Sequence, residues 1–251
     1  MQLQARAPVP PPADDLARAL QGAAEVLGHR PAVTVLRTDR RDEQGVASLR
    51  QWAAKTAHWL AIEHGLGPGD RLGLVGPPGW VPVGVCLGAW WAGLRVVLGD
   101  GAGVDVAVVH EHAATPMGAE VVTYGAAVDG SPVGPVADEP YAIAVQAFPD
   151  QPPAPGAAPE LVAAEAEGRS WTHAELLAAA RALPDGRLGL DGPGVPASLW
   201  LPALAVHPLT SGRPTVLLDG VGRDAAGGER VESWLSVDPT SPPPDPTGPS
   251  A

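Results

Sequence analysis

The 251-residue chain predicts an α/β fold, built as two related αβα lobes with largely parallel sheets. Three observations carry that expectation. Short Val/Leu-rich runs alternate with helix-like runs, the pattern of strand-helix-strand units. A strand-turn-helix-strand pattern occurs twice. The 31 Gly and 30 Pro residues, about twice average usage, rule out long unbroken helices and supply the turns between short elements.

From the start, a Pro-rich stretch, Pro8 to Pro12, leads into an Ala/Leu-rich helix over 13–27 that Gly28 and Pro31 stop. Ala32 to Leu36 reads as a strand. Ser48 and Gln51 have capping-box spacing, and Leu49, Trp52, Thr56, Trp59 and Leu60 then keep helical spacing as far as Gly65. Arg71 to Gly76 reads as a buried strand and Trp80 to Leu94 as an apolar helix. Arg95–Leu98, Asp105–Val109 and Glu120–Tyr124 read as further strands. The uncharged run Leu72 to Leu94 has the length of a membrane span, but Pro77, Pro78, Pro82 and its glycines favour a strand, a turn and a buried helix.

Prolines punctuate Gly125 to Pro159, leaving one strand or helix over Tyr141–Phe148. Helical spacing returns at Thr172, again with capping-box spacing to Glu175, and a strand follows over Arg187–Leu190. The expected organisation is a first lobe over 1–130, a Pro-rich linker and loop region over 131–168, a second lobe over 169–237 and a disordered tail over 238–251.

The repeat is the most informative internal feature. Gly69-Asp70-Arg71-Leu72-Gly73-Leu74-Val75-Gly76-Pro77 is echoed by Asp185-Gly186-Arg187-Leu188-Gly189-Leu190-Asp191-Gly192-Pro193. Each copy passes through Val-Pro into an apolar helix, then a Gly (Gly93 or Gly212), then a strand ending in Asp-Gly (Asp100-Gly101 or Asp219-Gly220).

Charge and cysteine usage narrow the function classes. A net charge of −12 without a Lys/Arg run excludes nucleic acid and anionic membranes as partners. The single cysteine, Cys86, excludes an intramolecular disulfide and a Cys-based zinc site, and the first 15 residues lack a signal-peptide pattern. A cytoplasmic protein is expected.

The segment His64-Gly65-Leu66-Gly67-Pro68-Gly69-Asp70-Arg71-Leu72-Gly73-Leu74-Val75 resembles the Gly-Leu-x-x-Gly-Asp-Arg-Val-Ala stretch near the start of adenylate-forming enzymes, which include acyl-CoA synthetases and peptide-synthetase adenylation domains. Val83 to Gly93 is similar to the helix that follows there. Thr172-His173-Ala174-Glu175-Leu176 resembles the Thr-His-x-x-Leu that follows the family's phosphate loop, and Leu201 to Gly220 resembles a later Pro-Leu-x-x-Gly segment. The likeness is colinear from about residue 29 to 220 and implies the front part of such an enzyme. It is shared with short bacterial proteins described as resembling the amino-terminal part of AMP-binding enzymes.

The resemblance implies a Ser/Thr/Gly-rich loop ending Gly-x-Pro-Lys-Gly just before Thr172, to cradle the ATP triphosphate. Residues 157–170 instead hold no Lys, one hydroxyl (Ser170), one Gly (Gly168) and three carboxylates, Glu160, Glu165 and Glu167. The Tyr-Gly-x-Thr-Glu segment, the ribose-binding Asp and the catalytic Lys of the family are not found either, and the single lysine, Lys55, matches no family position. No catalytic residue, no metal ligand set and no cofactor are therefore assigned. The candidates for ligand contact are Thr172 and His173, beside the altered loop, and His207, near the place where the family has a tunnel-lining His.

The reading leans to a non-catalytic module that binds a small acyl- or nucleotide-like ligand or a protein partner. The alternative is one subunit of a split adenylate-forming ligase completed by a partner. His110-Glu111-His112, at a strand end, reads as a solvated loop, Gly99 to Gly103 as tight turns, Thr210 to Thr215 as a turn before a strand, and Trp90-Trp91 as core.

Overall fold

The protein is described from a computed structural model covering residues 8–136, 139–192 and 194–236, so the expected tail lies outside the described residues. Its elements, in chain order, begin with α1 (Leu16–Leu27), β1 (Pro31–Leu36), β2 (Arg41–Gly45), α2 (Val46–Ile62), β3 (Arg71–Val75), α3 (Trp80–Trp91), β4 (Arg95–Leu98), β5 (Val106–His110) and β6 (Glu120–Tyr124). They continue with α4 (Tyr141–Ala144), β7 (Val162–Ala166), β8 (Arg169–Thr172), α5 (His173–Arg181), β9 (Leu188–Asp191), α6 (Ala197–Trp200), a π-helical stretch (Leu201–Val206), α7 (His207–Ser211), β10 (Thr215–Leu218) and β11 (Ser233–Leu235).

Two sheets result. One has the order β6-β5-β3-β4-β7-β8 and the other β11-β9-β10-β1-β2. Every neighbouring pair is parallel except the hairpins β1-β2 and β7-β8. The expected α/β class with largely parallel sheets is what the chain adopts.

The repeat is larger than its sequence echo. The order β1-β2-α2-β3-α3-β4-β5 recurs as β7-β8-α5-β9-(α6, π-helix, α7)-β10-β11. In each copy the hairpin leaves its own strand-helix-strand unit and joins the other sheet: β1-β2 cover the edge of β10, and β7-β8 cover the edge of β4. An open parallel edge would present unpaired backbone groups; the exchanged hairpin covers that edge in each unit and leaves the short strand β2 or β8 outermost. The boundaries expected at 130 and 169 therefore do not separate the sheets, because residues 31–45 belong with the second unit and 162–172 with the first.

The core lies between the sheets. All of α3 is buried, as befits a helix that is apolar on every face, and it packs on α2, β1, β3 and the π-helical stretch. Gly88 permits its closest approach to α2, since a Cβ there would stand 2.4 Å from Thr56 Cβ. Trp90 and Trp91 fill this core, donating from their indole nitrogens to the Ala163 and Pro153 carbonyls, each at 2.8 Å. The equivalent helix of the second copy is broken into three pieces, because Pro202 and Pro208 interrupt its hydrogen-bond ladder.

One local expectation is corrected, and one left open as strand or helix is resolved. Ser48 does not cap α2: the helix begins at Val46 after Gly45, and its first N–H groups donate to the Arg30 and Gly28 carbonyls. The hairpin strand β2 runs straight into the helix, so backbone takes the place of a side-chain cap, and Ser48 Oγ bonds Gln44 Oε1 instead. The segment Tyr141–Phe148 forms one helical turn followed by a 3-10 turn. Tyr141 anchors it, its hydroxyl 2.5 Å from Thr56 Oγ1.

Candidate functional site

In place of the phosphate loop implied by the resemblance, the chain has a tight hairpin. Strands β7 and β8 pair antiparallel, and only Glu167 and Gly168 join them. Both residues have positive φ, 55° and 73°, the combination of a type I′ turn, whose twist matches that of the strands it connects. The sequence reading placed three carboxylates together here. The structure separates them.

Glu165 bridges two arginines at the base of the first sheet, accepting from Arg71 Nη2 at 2.9 Å and Arg95 Nη1 at 2.8 Å. Glu167 reaches from the hairpin back to the strand-helix-strand unit of its own copy, where its Oε1 accepts from the Ala197 N–H at the start of α6. Glu160 lies in the turn that leads into β7.

The three candidate contact residues are built into the scaffold. Thr172 is the N-cap of α5, its Oγ1 accepting from the Glu175 N–H at 3.2 Å while the Glu175 carboxylate accepts from the Thr172 N–H at 2.7 Å. His173, next in sequence, is fully buried, and its Nδ1 accepts from the Leu16 N–H at 3.4 Å, tying α5 to the start of α1. Burial pushes its pKa down to about 4, against the opposing charges of Asp15 and Glu160. His207 is buried where the π-helical stretch meets α7, with Nδ1 3.4 Å from Ser211 Oγ, and burial likewise holds it down to about 4. Helices α5 and α7 pack together, but no hydrogen bond joins His207 to Thr172 or His173.

A second constellation lies at the carboxyl ends of the strands, where α/β proteins collect ligands. The sequence reading saw only its His110-Glu111-His112 part. Arg37, just past β1, pairs with Asp42 of β2 and donates from Nε to Asp219 Oδ2, past β10, at 2.8 Å. Arg40 bonds Asp42 and the Ala126 carbonyl beyond β6, joining the ends of the two sheets. Burial lowers the His110 pKa, and both Arg37 and Asp219 act on it across the gap between the sheets. Its ring stands 5.1 Å from Tyr124. Glu111 is a loop anchor, accepting from the Ala126, Val133 and Gly134 N–H groups. The charge alternation Arg37-Thr38-Asp39-Arg40-Arg41-Asp42 was the available signal, and only the exchanged hairpin gives it meaning.

Among the described residues no group of three His, Cys, Asp or Glu is placed to hold a metal ion, and no helix is long and apolar enough to cross a membrane. Cys86 is buried in α3, and burial raises its thiol pKa, so no thiolate nucleophile is presented.

The arrangement of the two sheets is similar to that of solved adenylating enzymes. The amino-terminal domain of FACL13 from Mycobacterium tuberculosis superposes with a TM-score of 0.65 at 18% identity, over 86% of this chain and 61% of that one. The chain has the fold of the amino-terminal part of adenylate-forming enzymes. A Brucella canis acyl-CoA synthetase gives a TM-score of 0.67 at 17% identity, over 92% of this chain and 48% of that one. The anthranilate CoA ligase AuaEII, solved with anthranoyl-AMP, gives 0.65 at 15% identity, over 83% and 46%. The chain thus spans about half to three-fifths of the length of these proteins. A TIGR03089 family protein of Mycobacterium tuberculosis is 36% identical over 63 residues, 25% of this chain and 26% of that protein. No protein-family model matches the chain.

Proposed function

We propose that the chain is a non-catalytic module that keeps the adenylate-forming scaffold for binding, of a small acyl- or nucleotide-like ligand or a protein partner, and does not grip a triphosphate. The observation that carries this reading is the two-residue turn Glu167-Gly168. A phosphate cradle needs several convergent N–H groups and a positive charge. The turn offers a carboxylate, which would oppose each phosphate charge by about 1 kcal/mol at 4 Å even in a water-like dielectric. Lys55, the single lysine, is committed elsewhere, to the Gln146 and Phe148 carbonyls and Asp150.

On this reading Thr172, His173 and His207 hold the scaffold, and the ligand face is the strand-end constellation of Arg37, Asp219 and His110. A thermal-shift series with AMP, CoA, an acyl-adenylate analogue and ATP tests it. A ligand at a hundred times its dissociation constant stabilises by about 2.7 kcal/mol. The expected result is that ATP stabilises no more than AMP. Tenfold tighter binding of ATP than of AMP would defeat the reading.

A further inference from the structure

Past β6 the chain turns over the carboxyl ends of the strands in a loop, 125–134, that holds its own shape. Gly125 donates to the Gly130 carbonyl at 2.9 Å, Ala127 to Ser131 at 3.1 Å, Gly130 back to Ala127 at 2.9 Å, and Ser131 to Asp129 Oδ1 at 3.0 Å. Its attachment to the rest of the protein is of another kind. Within the loop only Gly125 and Gly130 are buried, residues without side chains, while Val128 and Val133 are 69% and 74% exposed. The burial of apolar side chains, which fixes most segments in place, therefore does not fix this one.

Two charged side chains do, one from each sheet. Glu111, just past β5, accepts from the N–H groups of Ala126 at 2.9 Å, Val133 at 2.8 Å and Gly134 at 3.4 Å. Arg40, in the β1-β2 turn, donates to the Ala126 carbonyl while its Nε stays on Asp42 at 3.1 Å. Polar contacts of this sort trade against water at small net gain, so they act as latches. Glycines stand at both ends of the loop, and Gly134 has open space around it. Beneath the loop lies the first turn of α3. A Cβ on Gly130, whose φ is 84°, would stand 2.6 Å from Val81 Cγ2 and 3.1 Å from Trp80 Cζ2. Trp80 and Val81, each 3% exposed, are thus roofed here by a glycine backbone. The Trp80 ring in turn stands 5.3 Å from that of the half-buried Trp52.

We propose that loop 125–134 is a lid that moves as one unit on its glycine ends, latched shut by Glu111 and Arg40, and that it uncovers Trp80 and Val81 where the ends of the two sheets meet. Arg37, Asp219 and His110 lie at the same strand ends, so the lid governs access to them. That role rests on the ligand reading above, whereas the motion itself does not.

Amide hydrogen exchange of the whole protein, followed by NMR, tests the motion without any ligand, so its failure and that of the ligand reading are told apart. In the native chain the amides of Gly125, Ala126, Ala127, Gly130, Val133 and Gly134 should share one level of protection, at least a hundredfold below that of Val108 in β5, which is paired on both sides. Glu111→Gln should lower all six together by at least threefold. Gly130→Ala, which wedges a methyl group against Val81 and leaves both latches in place, should do the same. Val108 should change by less than twofold in either variant. A loss in Glu111→Gln confined to Ala126, Val133 and Gly134 would reduce Glu111 to a local acceptor and overturn the lid. Protection in the native loop equal to that of Val108, no effect of Gly130→Ala, or an equal loss at Val108 in the variants would overturn it as well.

Discussion

Glu167 Oε1 accepts a hydrogen bond from the Ala197 N–H at 2.8 Å, so the β7-β8 turn, although paired into the first sheet, seals the first helical turn of the unit it left. A carboxylate at a helix start satisfies an orphan N–H and favours the helix dipole. Replacing Glu167 by Ala should cost about 1 kcal/mol, in the range of a lost N-cap. Glu167→Gln keeps an acceptor and should cost less. Urea denaturation of the two variants measures the difference, and equal costs would assign the effect to the charge of the carboxylate rather than to the hydrogen bond.

Gly76 follows β3 with φ at 142°, and a Cβ there would stand 2.3 Å from the Tyr124 hydroxyl and 2.5 Å from His110 Cβ. Both neighbours are packed, so neither can yield cheaply. Gly76→Ala should destabilise by about 1–3 kcal/mol, the usual cost of overpacking, and should disturb the His110 NMR signals. A variant as stable as the native chain would mean that the strand-end constellation is loosely packed.

His173 and His207 both lie near pKa 4, down from an ordinary 6.5, because burial favours the neutral ring. The unfolded chain therefore binds more protons than the folded one between those values. Stability is full above about pH 6.5 and declines as the pH falls toward 4, by up to about 1.4 kcal/mol per pH unit for each histidine. Denaturation midpoints taken between about pH 7 and pH 5 should show this slope, and His173→Leu with His207→Leu should flatten it. An unchanged slope in the double variant would assign the pH dependence to other groups.

Glu165 joins Arg71 and Arg95, all three partly exposed. Glu165→Gln should cost about 1 kcal/mol or less at low salt, and the cost should shrink further in molar salt as the charges are screened. A salt-independent loss would point to packing rather than charge.

The βαβ repeat was legible because both copies keep Arg-Leu-Gly-Leu at a buried parallel strand and Asp-Gly at the end of the next one. The hairpins were not. Strand β2 reads Arg41-Asp42-Glu43-Gln44-Gly45, a charged run with no apolar alternation, and becomes a strand because Asp42 is buried against Arg37 and Arg40. Strands β7 and β8 were hidden inside a segment read as an altered loop, although Glu167-Gly168 has the composition of a two-residue turn. Thr172 was correctly read as opening a helix, since its capping box is local. The environment of His173 was beyond reach because it depends on Leu16, 157 residues away, whereas the His207–Ser211 contact is an i,i+4 pair within one helical turn. Local patterns specify elements, whereas the exchange of hairpins between sheets is a long-range pairing that neither copy encodes alone.

The central claim, that this scaffold does not grip a triphosphate, is tested most directly by ATP–pyrophosphate exchange with the purified chain and a panel of carboxylic acids. The account predicts no exchange above the protein-free blank for any acid. Exchange with even one acid that is abolished by substitutions at Arg169 and Ser170, beside the β7-β8 turn, would contradict it.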